Sequence, residues 1–336
     1  MAEFVSLFVS GFEGTVSRHI PRELGGAEII RVSGGLAHYK YAGKPEFVAR
    51  LPFINNSFVV LAKYRGAGLA FDKIVYDTAK KTFRHVGNYK SFRVRFSLEG
   101  QFEKVPKSLF EIAESAIMRN CEMHVNRVKP ECEFWFIVRR DGSSYFGQLL
   151  GGKPGGKPNS GELNSGELRQ ELAGLLCLDC EFDKSTVVCD PFAGYGSIPL
   201  YIHNHCEYDK MYVNDIDAGL VSRLSKGVLG RDARVKITRA DAAGLSHIGR
   251  SSVDIVITDP PWGYVGQYGD ISEFYRGALK ELKRIIKPDG RIVLLTGRPA
   301  EFTGAARHCG LNVLDRINIL VNGKKAGVFT LGKPTA

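Results

Sequence analysis

A short apolar stretch that ends in an acid and a glycine-rich turn constrains the fold of this 336-residue chain more than any other feature. Residues 187–190 read VVCD, residues 191–196 read PFAGYG, and the apolar segment that follows has the composition of a helix. A hydrophobic strand that turns through glycines into a helix is the first βα unit of nucleotide-binding α/β folds. The sequence therefore predicts a parallel sheet with helices on both faces.

The rest of the C-terminal half repeats this alternation. Short β-branched runs, separated by stretches long enough for a helix, are Met211–Val213, Val235–Ile237, Val253–Thr258 and Arg291–Leu295. Near the end of the chain, residues 314–321 and 327–331 flank Asn322-Gly323, a dipeptide typical of a tight β-hairpin. We therefore expect residues 167–336 to form an α/β, Rossmann-like domain that ends in an antiparallel hairpin.

The N-terminal half has a different, α+β organisation. Its predicted strands include Phe4–Ser10, Ser57–Ala62 and Ser91–Phe96, and Glu133–Arg139 is expected to pair with Tyr145–Leu150 across a turn. This order predicts one segment at 1–70 and another at 71–150. Residues 151–166 are rich in Gly, Pro and Ser, with duplicated GGKP and NSGE sequences, and indicate a flexible linker.

Composition excludes several classes of protein. Hydrophobic residues make up 44% of the chain, enough for a sizeable core, yet no apolar run reaches the roughly 18 residues of a transmembrane helix. The start of the chain lacks the basic region of a signal peptide, so we expect a cytoplasmic protein. The seven cysteines are scattered, and Cys177-x-x-Cys180 lies in an apolar helical pattern. We therefore expect buried thiols and no bound metal.

The glycine-rich turn favours a ligand other than a dinucleotide. Pro199 replaces the third glycine of the dinucleotide fingerprint, and the Asp190 carboxylate would repel a pyrophosphate. It would attract the ammonium group of S-adenosylmethionine. Asp215 follows Gly196 by 19 residues, a spacing suited to a ribose-binding acid, and Asp241 follows the third strand, where it can meet the adenine. The predicted cofactor-binding residues are Asp190, Phe192, Ala193, Gly194, Gly196, Asp215, Asp241 and Ala242.

The fourth predicted strand ends in Asp259-Pro260-Pro261-Trp262-Gly263. The lone pair of an exocyclic base amine is delocalised into the ring, so a methylating site must hold the amine hydrogens with acceptors. Asp259 supplies one acceptor, and prolines stiffen the turn and lack a competing N–H. Trp262 offers a flat surface on which a flipped base can stack. Asp259, Pro260, Pro261 and Trp262 are therefore the candidate catalytic residues.

Residues 187–263 resemble the class I methyltransferases with a (D/N)PP(Y/W/F) motif. The stretch DPFAGYGSIPL and the helix-forming residues 167–173 are similar to those of the THUMP-containing RNA methyltransferases. The resemblance implies a ferredoxin-like domain at 1–70, a THUMP-like RNA-binding domain at 71–150, and transfer of a methyl group to N2 of a guanosine in tRNA. Trp262 departs from the tyrosine of many members. The need for a small activating subunit, the oligomeric state and the modified position stay open.

The distribution of charge independently favours an RNA partner. Residues 1–150 contain 22 Lys and Arg against 15 acids, a net charge of +7 of the total +10. Eight of these cations fall between Lys80 and Lys107. Arg93 and Arg95 alternate with apolar residues on a predicted strand, and with Lys90 they are the candidate RNA-binding residues. A solvated strand face is the alternative interpretation.

Other functions use the same motif. A DNA adenine-N6 or protein glutamine methyltransferase would have an identical acceptor geometry, and a ribosomal or other small RNA could replace tRNA. The basic N-terminal half argues against the DNA and protein substrates. A non-catalytic RNA-binding protein is a further alternative, against which the intact Asp190, Gly194, Gly196 and Asp259 argue.

Overall fold

A computed structural model describes residues 1–66, 70–151, 163–164, 166–263, 269–321 and 323–334. The chain divides into two compact units, Met1–Phe8 with Val16–Gly161, and Val9–Thr15 with Glu162–Ala336. Most of the predicted linker, and Asn322 of the predicted hairpin turn, lie outside the described residues. Within the described part of the chain, no helix has the length and apolar character needed to cross a membrane.

Strands and helices alternate along the first 150 residues, as the sequence predicts. In chain order they are β1 (Ala2–Leu7), α1 (Glu13–Glu23), β2 (Glu28–Ser33), β3 (Leu36–Tyr41), α2 (Pro45–Ala49), β4 (Asn56–Arg65), α3 (Phe71–Ala79), β5 (Ser91–Leu98), β6 (Gln101–Phe102), α4 (Lys107–Cys121), β7 (His124–Val125), β8 (Cys132–Val138) and β9 (Ser143–Leu150).

The strands of the first unit form one sheet with the order β2-β3-β1-β4-β9-β8-β5-β6, and β7 pairs with β5. Antiparallel pairing of β4 with β9 runs from Ser57↔Leu150 to Arg65↔Ser143. This ladder joins the predicted segments 1–70 and 71–150 through a shared sheet. Their assignment as ferredoxin-like and THUMP-like domains stays a prediction.

Aromatic residues fill the core beneath α3 and α4. Alternate residues of β5, Phe92, Val94 and Phe96, pack there with Phe134 and Phe146 of the neighbouring strands. Phe96 stacks on the ring of a further β8 phenylalanine with centroids 5.2 Å apart. Because side chains alternate across a strand, the intervening Arg93 and Arg95 are directed to the opposite face of the sheet.

The second unit has the predicted α/β alternation. Its elements are α5 (Gln170–Cys177), β10 (Val187–Asp190), α6 (Ser197–His205), β11 (Lys210–Asp215), α7 (Ala218–Lys226), a 3-10 turn (Leu229–Arg231), β12 (Val235–Arg239), β13 (Val253–Thr258), α8 (Ile271–Ile285), β14 (Ile286–Thr296), α9 (Pro299–His308), β15 (Asn312–Val321) and β16 (Lys324–Gly332).

The sheet of this unit has the order β12-β11-β10-β13-β14-β16-β15. The pairs from β12 to β14 are parallel, whereas β16 is antiparallel to both β14 and β15. Buried residues of α8 and α9, including Tyr275, Leu279 and Phe302, cover one face of the sheet. The Rossmann-like fold and its C-terminal hairpin are confirmed.

Candidate active site

Four acidic residues lie at the same edge of the second unit's sheet. Asp215 and Asp190 end the neighbouring strands β11 and β10, Asp259 follows β13, and Asp241 comes shortly after β12. The carboxyl ends of parallel strands are where open α/β sheets bind ligands. The strand order thus gathers acids that are separated by up to 69 residues in the sequence.

The glycine-rich turn after β10 is held by the next strand. The Gly194 N–H donates to Asp215 Oδ2 at 2.8 Å, and Ala193 N–H donates to the Asn214 carbonyl at 2.9 Å. Gly194 has a φ of +53°, and a Cβ placed on it would meet no atom within 4 Å. The turn therefore leaves open space against its backbone, which fits the close approach of a cofactor.

At position 196, glycine is required by packing against a neighbouring helix. Its φ is +89°, and a Cβ there would lie 2.5 Å from Leu224 Cδ2. The sequence-based interpretation assigned both glycines to ligand approach, whereas Gly196 allows α6 to begin against a side chain of α7. Nearby, the Phe192 ring lies 5.6 Å from the ring of Phe274.

Asp190 is buried beneath this turn, with 1% of its surface exposed. Its Oδ1 accepts hydrogen bonds from the Thr258 hydroxyl at 2.7 Å and from the Phe192 N–H at 3.2 Å. Loss of hydration, with the charges of Asp215 and Asp259, raises the pKa of Asp190 to about 7. A ligand ammonium would favour the ionised form. Thr258, which no sequence motif revealed, ties β10 to β13.

Asp215 and Asp241 both brace their own loops. Asp215 Oδ1 accepts from the Asp217 N–H at 2.9 Å, and Asp241 Oδ1 accepts from the Ala243 N–H at 2.9 Å. Asp241 is exposed, whereas Ala242 beside it is buried. Each carboxylate oxygen can accept two hydrogen bonds, so both residues retain capacity for a ligand.

Within the motif that follows β13, the side chains of Asp259 and Trp262 contact each other. The Trp262 indole N–H donates to Asp259 Oδ1 at 2.8 Å. Loss of hydration raises the pKa of Asp259 to about 7, and this hydrogen bond acts in the opposite direction. Asp259 Oδ1 therefore already accepts one hydrogen bond, and Oδ2 is the oxygen with more capacity for a ligand.

The segment that joins β14 to α9 supports the motif. A Cβ on Gly297 would lie 2.3 Å from Trp262 Cε3, so the indole rests directly on the Gly297 backbone. Arg298 Nε donates to the Trp262 carbonyl at 3.1 Å. Tyr275 donates to the Pro261 carbonyl at 3.4 Å and shares a hydrogen bond with Thr296. The Pro261 carbonyl already accepts from Tyr275, so we take the Pro260 carbonyl as the second candidate acceptor.

The predicted RNA-binding strand β5 requires a correction at Arg93. Its Nε donates to Glu133 Oε1 at 2.7 Å, and only 12% of the Arg93 side chain is exposed. The other Glu133 oxygen accepts from the Trp135 indole N–H at 2.7 Å. Arg93 is thus a largely buried ion-pair partner, and its charge is neutralised on the face predicted to meet phosphates.

Arg95 and Lys90 are placed differently. The Arg95 guanidinium carbon lies 4.8 Å from the centroid of the Phe102 ring, which is 56% exposed. Burial and the neighbouring Arg93 charge lower the pKa of Arg95. Lys90 is exposed, and its backbone N–H donates to Glu131.

The first unit also contains a cationic cleft that the sequence did not predict. It has a volume of about 400 Å³ and is lined by Arg31, Arg65 and Arg140. Arg31 pairs with Asp141 at 2.7 Å, while Arg65 and Arg140 are exposed. The cleft brings together residues from β2, β4 and the turn between β8 and β9, and only the sheet topology could show this.

The cysteines are free thiols. Burial raises the pKa of Cys180 to about 12, and Cys177 is buried in α5, as expected. His203 Nδ1 lies 2.9 Å from the Tyr208 hydroxyl. Among the residues that the structure describes, no group of three or more His, Cys, Asp or Glu is arranged to bind a metal.

Sequence comparisons identify proteins to which this chain is similar. Residues 204–325 match the family UPF0020: RMKL-like, methyltransferase domain. The chain is 30% identical over 184 residues to a Mus musculus tRNA (guanine(6)-N(2))-methyltransferase THUMP3, covering 49% of this chain and 36% of the relative. It is 25% identical over 213 residues to a tRNA (guanine(6)-N2)-methyltransferase of Thermus thermophilus, covering 62% of this chain and 63% of the relative. The chain therefore spans less than two thirds of either curated relative.

The structural comparison covers the whole chain. TrmN from Thermus thermophilus superposes with a TM-score of 0.81 at 21% identity, over 99% of this chain and all of that one. The second unit is a class I methyltransferase domain with the Rossmann-like fold. More narrowly, residues 204–325 of this unit are similar to the UPF0020, RMKL-like methyltransferase domain. The resemblance to tRNA guanine-N2-methyltransferases is confirmed by the relatives.

Proposed function

We propose that this protein methylates an exocyclic amine of a base in RNA, with S-adenosylmethionine as methyl donor and N2 of a guanosine in tRNA as target. One observation carries the proposal. An acceptor carboxylate fixed by an indole, Asp259 with Trp262, lies at the same sheet edge as the open glycine turn at Gly194. The base and the methyl donor can therefore meet at this edge, and the names of the relatives supply the choice of guanine and tRNA.

The residues of the glycine turn suit this cofactor. The open backbone at Gly194 admits a nucleoside, and Asp215 and Asp241 have acceptor capacity for ribose hydroxyls and the adenine amine. Asp190 would face the ammonium group. When bound, the cofactor supplies an electrophilic methyl group on a sulfonium.

The motif residues orient the amine. Asp259 Oδ2 and the Pro260 carbonyl would each accept one amine hydrogen, which turns the nitrogen lone pair out of conjugation and towards the methyl group. The Trp262 indole would stack on the base with the face not covered by Gly297. In a direct transfer the nitrogen would gain the methyl group as its bond to sulfur breaks, S-adenosylhomocysteine would leave, and the nitrogen would release one proton, for which Asp259 is the nearby acceptor. No covalent enzyme intermediate is needed, and positioning supplies most of the acceleration.

We propose that the first unit docks the RNA. Its charge of +7 over residues 1–150 favours a polyanion. The exposed Arg65 and Arg140 line a cleft that a phosphate can enter, and Lys90 is also exposed. Arg95 stacked on the exposed Phe102 provides a platform for a base. The free thiols are consistent with a reducing compartment, and we place the enzyme in the cytoplasm.

Transfer of a labelled methyl group tests this function. The full chain, without any added subunit, is incubated with labelled S-adenosylmethionine and, separately, tRNA, ribosomal RNA, duplex DNA or a mixture of proteins. We expect label in tRNA with the wild type and at least about a hundredfold less with Asp259→Ala, the effect of losing a preorganised acceptor. Label in DNA or protein with tRNA unlabelled would contradict the proposal.

A further inference from the structure

The second unit has a cleft that the proposed chemistry does not use. Its volume is about 990 Å³, and it lies along the hairpin of β15 and β16 and the start of α9. Three cations, Arg316, Lys324 and Lys325, line it, and none of the lining residues that the structure describes is acidic. The cleft therefore carries a concentrated positive charge in a unit whose residues 151–336 have a net charge of only +3.

The cleft reaches the candidate active site. Gly297 is one of its lining residues, and the backbone of Gly297 supports the Trp262 indole. In the sheet, Thr296 at the end of β14 pairs with Gly327 of β16. Residues 324–326 therefore extend beyond the end of β14, by about 10 Å at the usual rise of a strand. The tip of the hairpin thus projects from the catalytic edge of the sheet.

The cations are presented on a partly apolar surface. Arg316 Nε donates to Asn318 Oδ1 at 3.1 Å, and its guanidinium carbon lies 5.2 Å from the centroid of the Phe329 ring, which limits its freedom. Lys324 and Lys325 are exposed. Leu320 lines the same cleft and is 61% exposed. Cations beside exposed apolar surface suit a ligand that alternates phosphates with sugars and bases.

We propose that this cleft binds the RNA strand that flanks the target nucleotide, with Arg316, Lys324 and Lys325 contacting its phosphates. The inference rests on the proposed function and names a substrate contact for it. The position of the cleft favours a strand over an acidic protein, because Gly297, one of its lining residues, lies directly beneath the indole whose other face would stack on the target base. The first unit would dock the body of the RNA, whereas this cleft would guide the reacting strand.

Two full-length variants test the cleft. Arg316, Lys324 and Lys325 are changed together to Ala in one, and Lys226, Arg231 and Lys236 in the other. Both remove two lysines and one arginine, all exposed and all from the second unit. The control residues lie at the end of α7, in the 3-10 turn and near the start of β12, at the opposite edge of the sheet.

Binding of tRNA is measured by titration at several salt concentrations, with methyl transfer and S-adenosylmethionine binding as parallel readouts. For the cleft variant we expect the slope of log K against log salt to fall by about 0.7 per phosphate contact, or about 2 in total. We expect Kd for tRNA to rise at least about tenfold at low salt, with cofactor affinity unchanged. The control variant should keep a slope close to that of the wild type.

An equal decrease of the slope in both variants would overturn the assignment, because a general charge effect would then account for it. The assignment would also be overturned if the cleft variant had the same salt slope and the same KM for tRNA as the wild type. In that case the proposed function would still stand, provided that the wild-type enzyme methylates tRNA. Loss of methylation with unchanged tRNA binding, restored by a protein from the source cell, would assign the cleft to an acidic protein partner instead. Failure of the wild type to methylate any RNA would contradict the proposed function itself.

Discussion

The Trp262 indole N–H donates a hydrogen bond to Asp259 Oδ1 at 2.8 Å. This contact connects the aromatic residue of the motif to its acid, so Trp262 has two tasks. It can stack on a base, and it fixes one carboxylate oxygen so that the other meets the amine. A ring that lacks the N–H would retain the first task and lose the second.

Trp262→Phe separates these two tasks. The phenyl ring keeps a stacking surface, but Asp259 loses a charge-assisted hydrogen bond, a contact that contributes about 1.5–3 kcal/mol. We expect kcat for tRNA methylation to fall at least about tenfold, with a smaller change in KM. Steady-state kinetics with saturating cofactor would measure both.

Trp262→Ala is the matched comparison, since it removes stacking as well and should reduce kcat further. Wild-type turnover by Trp262→Phe would show that stacking alone accounts for Trp262.

Gly297→Ala tests the support under the indole. The new Cβ would lie 2.3 Å from Trp262 Cε3, so the ring must move and the hydrogen bond to Asp259 must lengthen or break. We expect kcat to fall at least about tenfold, in line with loss of that charge-assisted bond. Gly304→Ala in α9 is the control, because a Cβ there meets no atom within 4 Å. Equal activity of the two variants would contradict this role for Gly297.

The pH dependence of kcat/KM should report the buried carboxyl groups. The pKa of Asp259 and that of Asp190 are both raised to about 7, so each carboxyl is mostly protonated below that pH and ionised above it. Because Asp259 acts as an acceptor in its ionised form, kcat/KM should increase as the pH rises through about 7.

Trp262→Phe should move this rise to higher pH, because the indole N–H favours the ionised carboxylate. Asp190→Asn removes the second titrating group. The rise of kcat/KM that reports the ionisation of Asp259 should remain in this variant. A pH-independent kcat/KM between roughly pH 6 and pH 8 would exclude Asp259 as a titrating acceptor.

Arg93→Ala tests the corrected role of Arg93. The substitution leaves Glu133 buried, with 3% of its side chain exposed and its main cationic partner removed. Breaking one side of a buried ion pair costs about 3–5 kcal/mol. We expect the free energy of unfolding, measured by denaturant titration, to decrease by about that amount, while the exposed Lys90→Ala changes it by less than about 0.5 kcal/mol. A folded, equally stable Arg93→Ala variant that binds RNA weakly would restore the original assignment.

Much of the second unit could be predicted from its sequence. The βα alternation and the acids that follow successive strands are local signals, and parallel strand ends meet at one edge whatever the details of packing. The contacts that support the motif could not be predicted in this way. Thr258 and Asp190, or Gly297 and Trp262, are far apart in the sequence and approach each other only through strand order and side-chain packing.

The first unit shows a limit of strand periodicity. Alternation correctly separated Arg93 from Phe92 and Val94, but it did not indicate what covers the second face. That depends on the parallel pairing of β5 with β8, which places Glu133 directly opposite Arg93. The cationic cleft of Arg31, Arg65 and Arg140 has the same origin, because three separate elements of one sheet form it.

Identification of the methylated nucleoside tests the central claim most directly. After reaction with labelled S-adenosylmethionine, tRNA is digested to nucleosides, and the labelled product is identified by chromatography and mass spectrometry. The account predicts N2-methylguanosine with the wild type and at least about a hundredfold less with Asp259→Ala. A label on an adenosine or on a ring carbon, or an equal yield from Asp259→Ala, would contradict the assignment of this site to a guanine amine.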